Sequence, residues 1–309
     1  MGVVKKNHAL HLTSPQNNKI KVCCGELIVI DTFPSAKIPP RTVAIWLPSN
    51  YSSSQKYPVF YFHDGQMLFD SLSTWNKQEW GVDEVFSSIN HVTGSPYFPN
   101  AIVVAIWNNG KDRHSNYFPQ APLNGLDSLK WSSLMSLKRG EFPLFSGSLY
   151  SDNYLDFIVQ ELKPYIDGHY STLTDKSNTS IAGSSMGGLI SMYAGVKYPQ
   201  IFGNIICLST HWIGIFDAKE LAIFPYFEKY LKDNLEISDG TQKWIFTRGG
   251  VGLDAFYEHP QNSVNKLFLS KGYVENKSFY YRLFPDLTHN ERAWNAQLPY
   301  VLNCIWSEN

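Results

Sequence analysis

Residues 180–197 read Ser-Ile-Ala-Gly-Ser-Ser-Met-Gly-Gly-Leu-Ile-Ser-Met-Tyr-Ala-Gly-Val-Lys. A short apolar run, residues 180–183, leads into Gly183-Ser184-Ser185-Met186-Gly187, and a helix-like stretch, Met186–Lys197, leads out and ends before Pro199. A G-x-S-x-G pattern set between a strand and a helix marks a turn that lifts its serine above the end of a sheet. The reason is steric. So sharp a turn forces its central residue into a strained backbone conformation, so the flanking residues must be small, and Gly183 and Gly187 are. The serine then stands at a helix N-terminus, where developing negative charge is favoured. An ordinary Gly/Ser turn is the competing reading; the strand before it, the helix after it and Gly188 weigh against it. Ser185 is therefore the candidate nucleophile.

The sheet implied by residues 180–183 extends in both directions along the chain. Residues 26–31 (ELIVID) and 42–47 (TVAIWL) are β-branched runs joined by a Pro-rich turn and read as an antiparallel pair. Val59–His63 and residues 101–107, 204–209, 243–247 and 278–284 are strand-like, and several are almost wholly apolar, which suits strands covered on both faces of a parallel sheet. Helices are expected over residues 151–165, Met186–Lys197, 217–234 (interrupted at Pro225), 264–271 and 290–306 (kinked at Pro299). Two leading strands followed by alternating strands and helices predict a mostly parallel sheet of about eight strands, with helices on both faces, in one domain spanning residues 1–309. Residues 119–149 break the rhythm. A long, mixed connection inside a compact domain reads as a lid or substrate-binding insertion over the cleft.

Composition narrows the function. The chain has 309 residues, 43% hydrophobic and 17% charged, which excludes a disordered protein and a membrane bundle. It is long enough to bury roughly three quarters of its unfolded surface without disulfides. Its 26 basic against 27 acidic residues lack the excess that phosphate-backbone binding needs, so no nucleic-acid partner is expected. Cys23 and Cys24 are adjacent and would point to opposite faces if extended, and Cys207 and Cys304 lie in apolar segments. With no CxxC spacing, no zinc or redox site is expected. Residues 1–13 carry no apolar leader core and no span is visible, so the expectation is a cytoplasmic protein without a membrane partner.

A serine hydroxyl is a weak nucleophile and needs a base that is itself oriented by an acid. On a fold of this kind the chain order is Ser, then Asp or Glu, then His. The acid should follow strand 243–247 and the base strand 278–284. Asp254, in Gly249-Gly250-Val251-Gly252-Leu253-Asp254, and His289, in Pro285-Asp286-Leu287-Thr288-His289, fit those places, with Glu258 and Asp286 as rival acids. Among rival histidines, His63 precedes Ser185, His259 leaves no room for the last strand, and His211 follows strand 204–209, where it could line the cleft. His8, His11, His91, His114 and His169 lack supporting context. A tetrahedral intermediate also needs an oxyanion hole. Its donors are expected at the backbone N–H of Met186 and, from His63-Asp64-Gly65-Gln66, that of Gln66.

With these pieces in view, the chain resembles the putative-esterase family of α/β-hydrolases, which includes enterochelin-type siderophore esterases, feruloyl esterases, acetyl-xylan-type esterases and mycolyltransferases. The resemblance is carried by His63-Asp64-Gly65-Gln66 with Leu68-Phe69-Asp70, Trp80-Gly81-Val82-Asp83-Glu84, Asn109-Gly110 with Arg113 and Tyr117, Gly183–Gly188, Leu253–Tyr257 and His289–Trp294, in family order over nearly the whole chain. It implies a three-layer α/β-hydrolase fold, a Ser185-Asp254-His289 triad, an oxyanion hole at Gln66 and Met186, and no metal or organic cofactor. Asp64, Arg113 and Trp212 are the expected substrate-binding residues. Trp107, Trp212 and Trp294 lie beside strand ends or triad elements, where each could stack on a sugar or phenyl ring, but core packing is the favoured reading for each taken alone. Two positions depart from the pattern: Thr247-Arg248 stand where an acidic residue and a Tyr are common, and Asn116 where Glu is common. The expected activity is hydrolysis of a small carboxylic ester, such as a carbohydrate-linked acyl ester. Siderophore-ester cleavage, thioester hydrolysis and acyl transfer are the alternatives, and a catalytically idle ligand-binding member is the alternative from another class.

Overall fold

The structure is a computed structural model and describes residues 20–93, 100–214 and 222–306. In chain order its elements are β1 (Glu26–Phe33), β2 (Arg41–Leu47), β3 (Val59–His63), α1 (Val82–Thr93), β4 (Ile102–Ile106), α2 (Arg113–Tyr117), α3 (Ser128–Met135), β5 (Lys138–Arg139) and β6 (Phe142–Pro143). There follow α4 (Ser151–Phe157), α5 (Lys163–His169), β7 (Thr179–Ser184), α6 (Met186–Lys197), β8 (Asn204–Leu208), α7 (Phe224–Asn234), β9 (Lys243–Gly249), α8 (Glu258–Ser270), β10 (Phe279–Phe284) and α9 (Glu291–Trp306).

The main sheet has eight strands in the order β1-β2-β4-β3-β7-β8-β9-β10. β4 through β10 of that order are parallel, and β1 and β2 form an antiparallel edge. β3, β4, β7 and β8 are buried at every position, which is why the sequences of β3, β4 and β8 are nearly continuous apolar runs and do not alternate. Successive side chains still go to opposite faces. Val59 and Tyr61 join one core, with Ile181, Phe246 and residues of α4, α6, α7 and α8. Phe60 and Phe62 join the other, with Ala182, Ile245 and residues of α1 and α9. Three layers result. Ser185, Ser209, the acid loop after β9 and the loop after β10 all follow the carboxyl ends of parallel strands, so the fold gathers them at one end of the sheet.

Several elements differ from the sequence expectation, each for a local reason. No helix was expected between β3 and β4, yet α1 is there. Its apolar stripe is short, with Val82 and Phe86 reaching the core, while Asp83 and Glu84 sit favourably in its first turn. α8 starts at Glu258, well before residue 264, because Pro260 falls in its first turn, where a missing N–H costs nothing. Likewise Pro225 opens α7 and does not interrupt it; the expected start of that helix at 217 lies outside the described residues. The helix expected over 151–165 continues to His169 through a π-helical turn, Ile158–Leu162, just ahead of Pro164. Cys23 and Cys24 do not diverge: the chain bends there and their sulfurs lie 2.9 Å apart. The insertion at 119–149 is ordered into a 3-10 turn, α3 and the β5–β6 hairpin, with Leu123, Leu134, Phe145 and Leu149 buried in the core and Leu129 and Phe142 exposed. Residues 1–13, and with them His8 and His11, lie outside the described residues. Among the described residues no helix is long and apolar enough to cross a membrane.

The central helix packs onto the sheet through a glycine. A Cβ on Gly195 would come within 2.5 Å of Ile205 Cγ1 and 2.6 Å of Trp244 Cη2. Gly195→Val should therefore push α6 off β8 and destabilise the fold by about 1–3 kcal/mol. Urea unfolding of the two proteins checks this, and an unchanged midpoint would contradict the packing.

Candidate active site

Ser185 caps α6 with φ 57° and ψ −121°, a strained conformation for a residue with a Cβ. Its neighbours hold it there. Its N–H donates to Leu208 O at 2.9 Å, and its carbonyl accepts from Leu189 N–H and His211 N–H, both at 3.1 Å. The turn closes so tightly that a Cβ on Gly183 would lie 2.6 Å from the Gly187 carbonyl carbon, so glycine is required. Among the described residues Ser185 Oγ has no hydrogen-bond partner within 3.5 Å.

Asp254 lies in a 3-10 turn, Gly252–Tyr257, after β9 and is fully buried. Three donors surround its carboxylate. His289 Nδ1–H donates to Oδ1 at 2.5 Å, and Ser209 Oγ–H and Gly249 N–H donate to Oδ2 at 2.5 and 2.6 Å. The loops carrying the acid and the histidine touch backbone to backbone: Gly250 and Val251 N–H both donate to Leu287 O. A Cβ on Gly249 would lie 2.2 Å from that oxygen, which fixes glycine there. Of the rival acids, Glu258 is 67% exposed and lies 3.9 Å from Arg248, and the His289 bond is to Asp254.

Around the histidine, Tyr257 and Trp294 pack against the ring at centroid distances of 5.8 and 5.1 Å. The Tyr257 hydroxyl is 2.6 Å from Nδ1 of His211, whose backbone N–H holds Ser185. A chain of contacts through Tyr257 and His211 thus runs from the His289 ring to the Ser185 backbone. Burial drives the His211 pKa down to about 3, with the charges of His289, His114 and Arg113 adding to the effect, so the ring is neutral near pH 7.

The loop after β3 places Asp64 in the left-handed region, φ 56° and ψ 42°, ahead of a 3-10 turn, Gly65–Met67. Gly65 is squeezed against β4: a Cβ there would meet the Ala105 carbonyl carbon at 2.6 Å. Asp64 is held by Arg113, which donates from Nε to Oδ1 at 2.8 Å and from Nη2 to Oδ2 at 2.7 Å, and by Asn108 Nδ2 at 2.6 Å. Burial alone would raise the Asp64 pKa, but these donors outweigh it and hold it below the usual carboxylate range. Beneath the loop, His63 is buried with Nδ1 2.7 Å from the Tyr154 hydroxyl, and burial lowers its pKa to about 3. Gln66 lies on this turn, and its side-chain Oε1 accepts from Asn108 N–H at 3.2 Å.

The expected substrate-binding residues are placed differently. Trp212 is fully buried, with its indole N–H bonded to Gln261 Oε1, so it has no face to offer a substrate. Asp64 and Arg113 are bonded to each other and brace the loop. Arg248 is also buried, donating to the Tyr281 hydroxyl and to Gly249 O. Of the tryptophans beside strand ends, Trp294 is buried, while Trp107 stays half-exposed against Gly65. At the departures from the family pattern, Thr247 bonds to Gln297 and Asn116 accepts from the buried Arg41. Sequence reasoning missed Ser209 and Tyr257. A serine directly after a buried strand that neighbours the Ser185 strand was the only available signal for the first. Away from the triad, Cys23, Asp83 and Glu84 bring one donor atom each within 4.8 Å of one another at the start of α1, where burial raises the Asp83 pKa to about 7.

A family model described as "Putative esterase" matches residues 38–128 and 145–303 and leaves out 129–144, the body of α3 and the β5–β6 hairpin. The chain is similar to the uncharacterized protein YjcH of Bacillus subtilis (strain 168), at 26% identity over 64% of this chain and 61% of that protein, so it spans less than two thirds of this relative's length. Among solved structures it is similar to the enterobactin esterase FES from Shigella flexneri (TM-score 0.57, 17% identity, 91% of this chain and 59% of that one). It is also similar to a CE1 ferulic acid esterase from Anaeromyces mucronatus (TM-score 0.58, 17% identity, 94% and 95%). At such identities the likeness is one of fold.

The two buried histidines make stability depend on acid. Each is kept neutral in the fold down to about pH 3 but titrates at the ordinary 6.5 once unfolded. The stability gained from their neutral forms is complete above about pH 6.5 and is lost as pH falls toward 3. The Tm should fall steadily from pH 6.5 to 4, and more shallowly in His63→Gln. Parallel curves for the two proteins would contradict this.

Proposed function

The chain belongs to the putative-esterase family, and from that premise we propose that it hydrolyses carboxylic esters through Ser185, His289 and Asp254. His289 Nε2 takes the hydroxyl proton as Ser185 Oγ attacks the acyl carbon. The tetrahedral oxyanion is held by the backbone N–H groups of Met186 and Gln66. His289 returns the proton to the leaving alcohol, and the acyl-enzyme remains. Water, deprotonated by the same imidazole, then attacks the acyl-enzyme and frees the acid and Ser185. Asp254 fixes the tautomer with the proton on Nδ1, leaving Nε2 free to act as base, and stabilises the imidazolium. The observation that carries this reading is the 2.5 Å hydrogen bond from His289 to the buried Asp254, at the sheet end where Ser185 stands on its positive-φ turn.

For the substrate we favour a small, uncharged acyl ester, such as an acyl group linked to a carbohydrate, over a large anionic siderophore. The support is that the two arginines expected to meet an anion, Arg113 and Arg248, are engaged by Asp64 and by Tyr281 and Gly249. The segment 119–149, with its exposed Leu129 and Phe142, serves as the substrate-binding insertion, and Trp107 as the ring beside the oxyanion loop.

Hydrolysis of p-nitrophenyl acetate tests the chemistry. Ser185→Ala should lower kcat by about 1,000-fold or more, and equal rates for the two proteins would refute the nucleophile. A panel of acetylated sugars, feruloyl sugars and a catecholate siderophore tests the substrate class. Highest kcat/KM on a sugar ester is expected, and highest kcat/KM on the siderophore would overturn that preference.

A further inference from the structure

We propose that Ser209 is a positioning residue for the His289–Asp254 pair: its hydroxyl, aimed by the Trp294 indole, fixes the Asp254 carboxylate so that Oδ1 faces the imidazole. This rests on the triad reading above and deepens it. Ser209 directly follows β8, and its backbone is left-handed, with φ 46°. Glycine would take that conformation with less strain, so the serine needs a use for its side chain. It has two. Its Oγ–H donates to Asp254 Oδ2 at 2.5 Å, and its Oγ accepts from Trp294 Nε1 at 3.1 Å. An indole N–H can only donate, and a carboxylate can only accept. The hydroxyl proton is therefore directed at Asp254 and nowhere else. With Gly249 N–H on the same oxygen and His289 on the other, three contacts define the carboxylate plane.

Trp294 couples the two ends of this arrangement. The same ring that aims Ser209 packs edge-on against His289 at 5.1 Å. Ser209 is itself anchored by its N–H to Thr247 O at 2.7 Å, so β9 sets its height above the sheet. Other groups face His289 from the packed elements. Tyr257 comes from the acid loop, with neutral His211 behind it, and Glu291, bonded to Asn76, lies on the histidine's own segment. None of these reaches Asp254 Oδ2.

Ser209→Gly separates the hydroxyl from the backbone. It should still fold, with a lowered Tm, because glycine relieves the left-handed strain but the buried carboxylate and the Trp294 N–H each lose a partner; activity is therefore compared well below the Tm of the variant. On p-nitrophenyl acetate its kcat should fall by about 10- to 100-fold, as expected for loss of one hydrogen bond to a charged group, with KM within about threefold. Trp294→Phe, which keeps a ring beside His289 but removes the N–H, should lower kcat less. Wild-type kcat in folded Ser209→Gly would overturn the proposal, as would a loss that falls on KM and leaves kcat unchanged. Failure of the underlying triad reading looks different: wild type and Ser185→Ala would then hydrolyse the ester equally.

Discussion

A fully buried carboxylate is the constraint around which this end of the molecule is organised. Removing a charge from water costs several kcal/mol even after relaxation. Hydrogen bonds to a charged group return about 1.5–3 kcal/mol each. Asp254 can therefore be ionised only if several donors converge on it, and three do: His289, Ser209 and Gly249. Each comes from the end of a different parallel strand or from the loop after it, so strand order and register decide whether the carboxylate is satisfied. The sheet and the site are in this sense one requirement.

Strain is concentrated where that requirement meets the turns. Ser185, Ser209 and Asp64 all have positive φ without being glycine, and all three follow strands at the same sheet end. Each is held by specific bonds: Ser185 between Leu208 and His211, Ser209 by Thr247, Asp64 by Arg113 and Asn108. Such conformations persist only where the surroundings over-determine them. The glycines beside them, Gly183, Gly65 and Gly249, let backbones approach more closely than any Cβ would allow. The Asp64–Arg113 pair is best understood in the same terms, as the brace for a strained loop.

Much of this was legible in the sequence because the signals were steric or periodic. The elbow glycines and the apolar runs of the parallel strands each follow from a short-range rule. What was not legible depended on contacts across the fold. That His289 bonds to Asp254 and not to Glu258 depends on the 3-10 turn that buries one and leaves the other in solvent. Trp212 was assigned to the cleft from its place after β8, but its ring turns inward to Gln261 on α8. α1 was missed because its core-facing stripe is too short to register as periodic. The helices expected over 151–165 and 264–271 are longer in the structure, since a π turn carries the first past Pro164 and the second takes Pro260 into its first turn.

The account stands on Ser185 being the activated nucleophile. Incubation with a fluorophosphonate, followed by intact-mass and peptide-mapping mass spectrometry, tests this most directly. The account predicts one adduct per chain, located on Ser185 and formed far more slowly in His289→Ala. An adduct on a different residue, or unreactive protein that still cleaves esters, would contradict it.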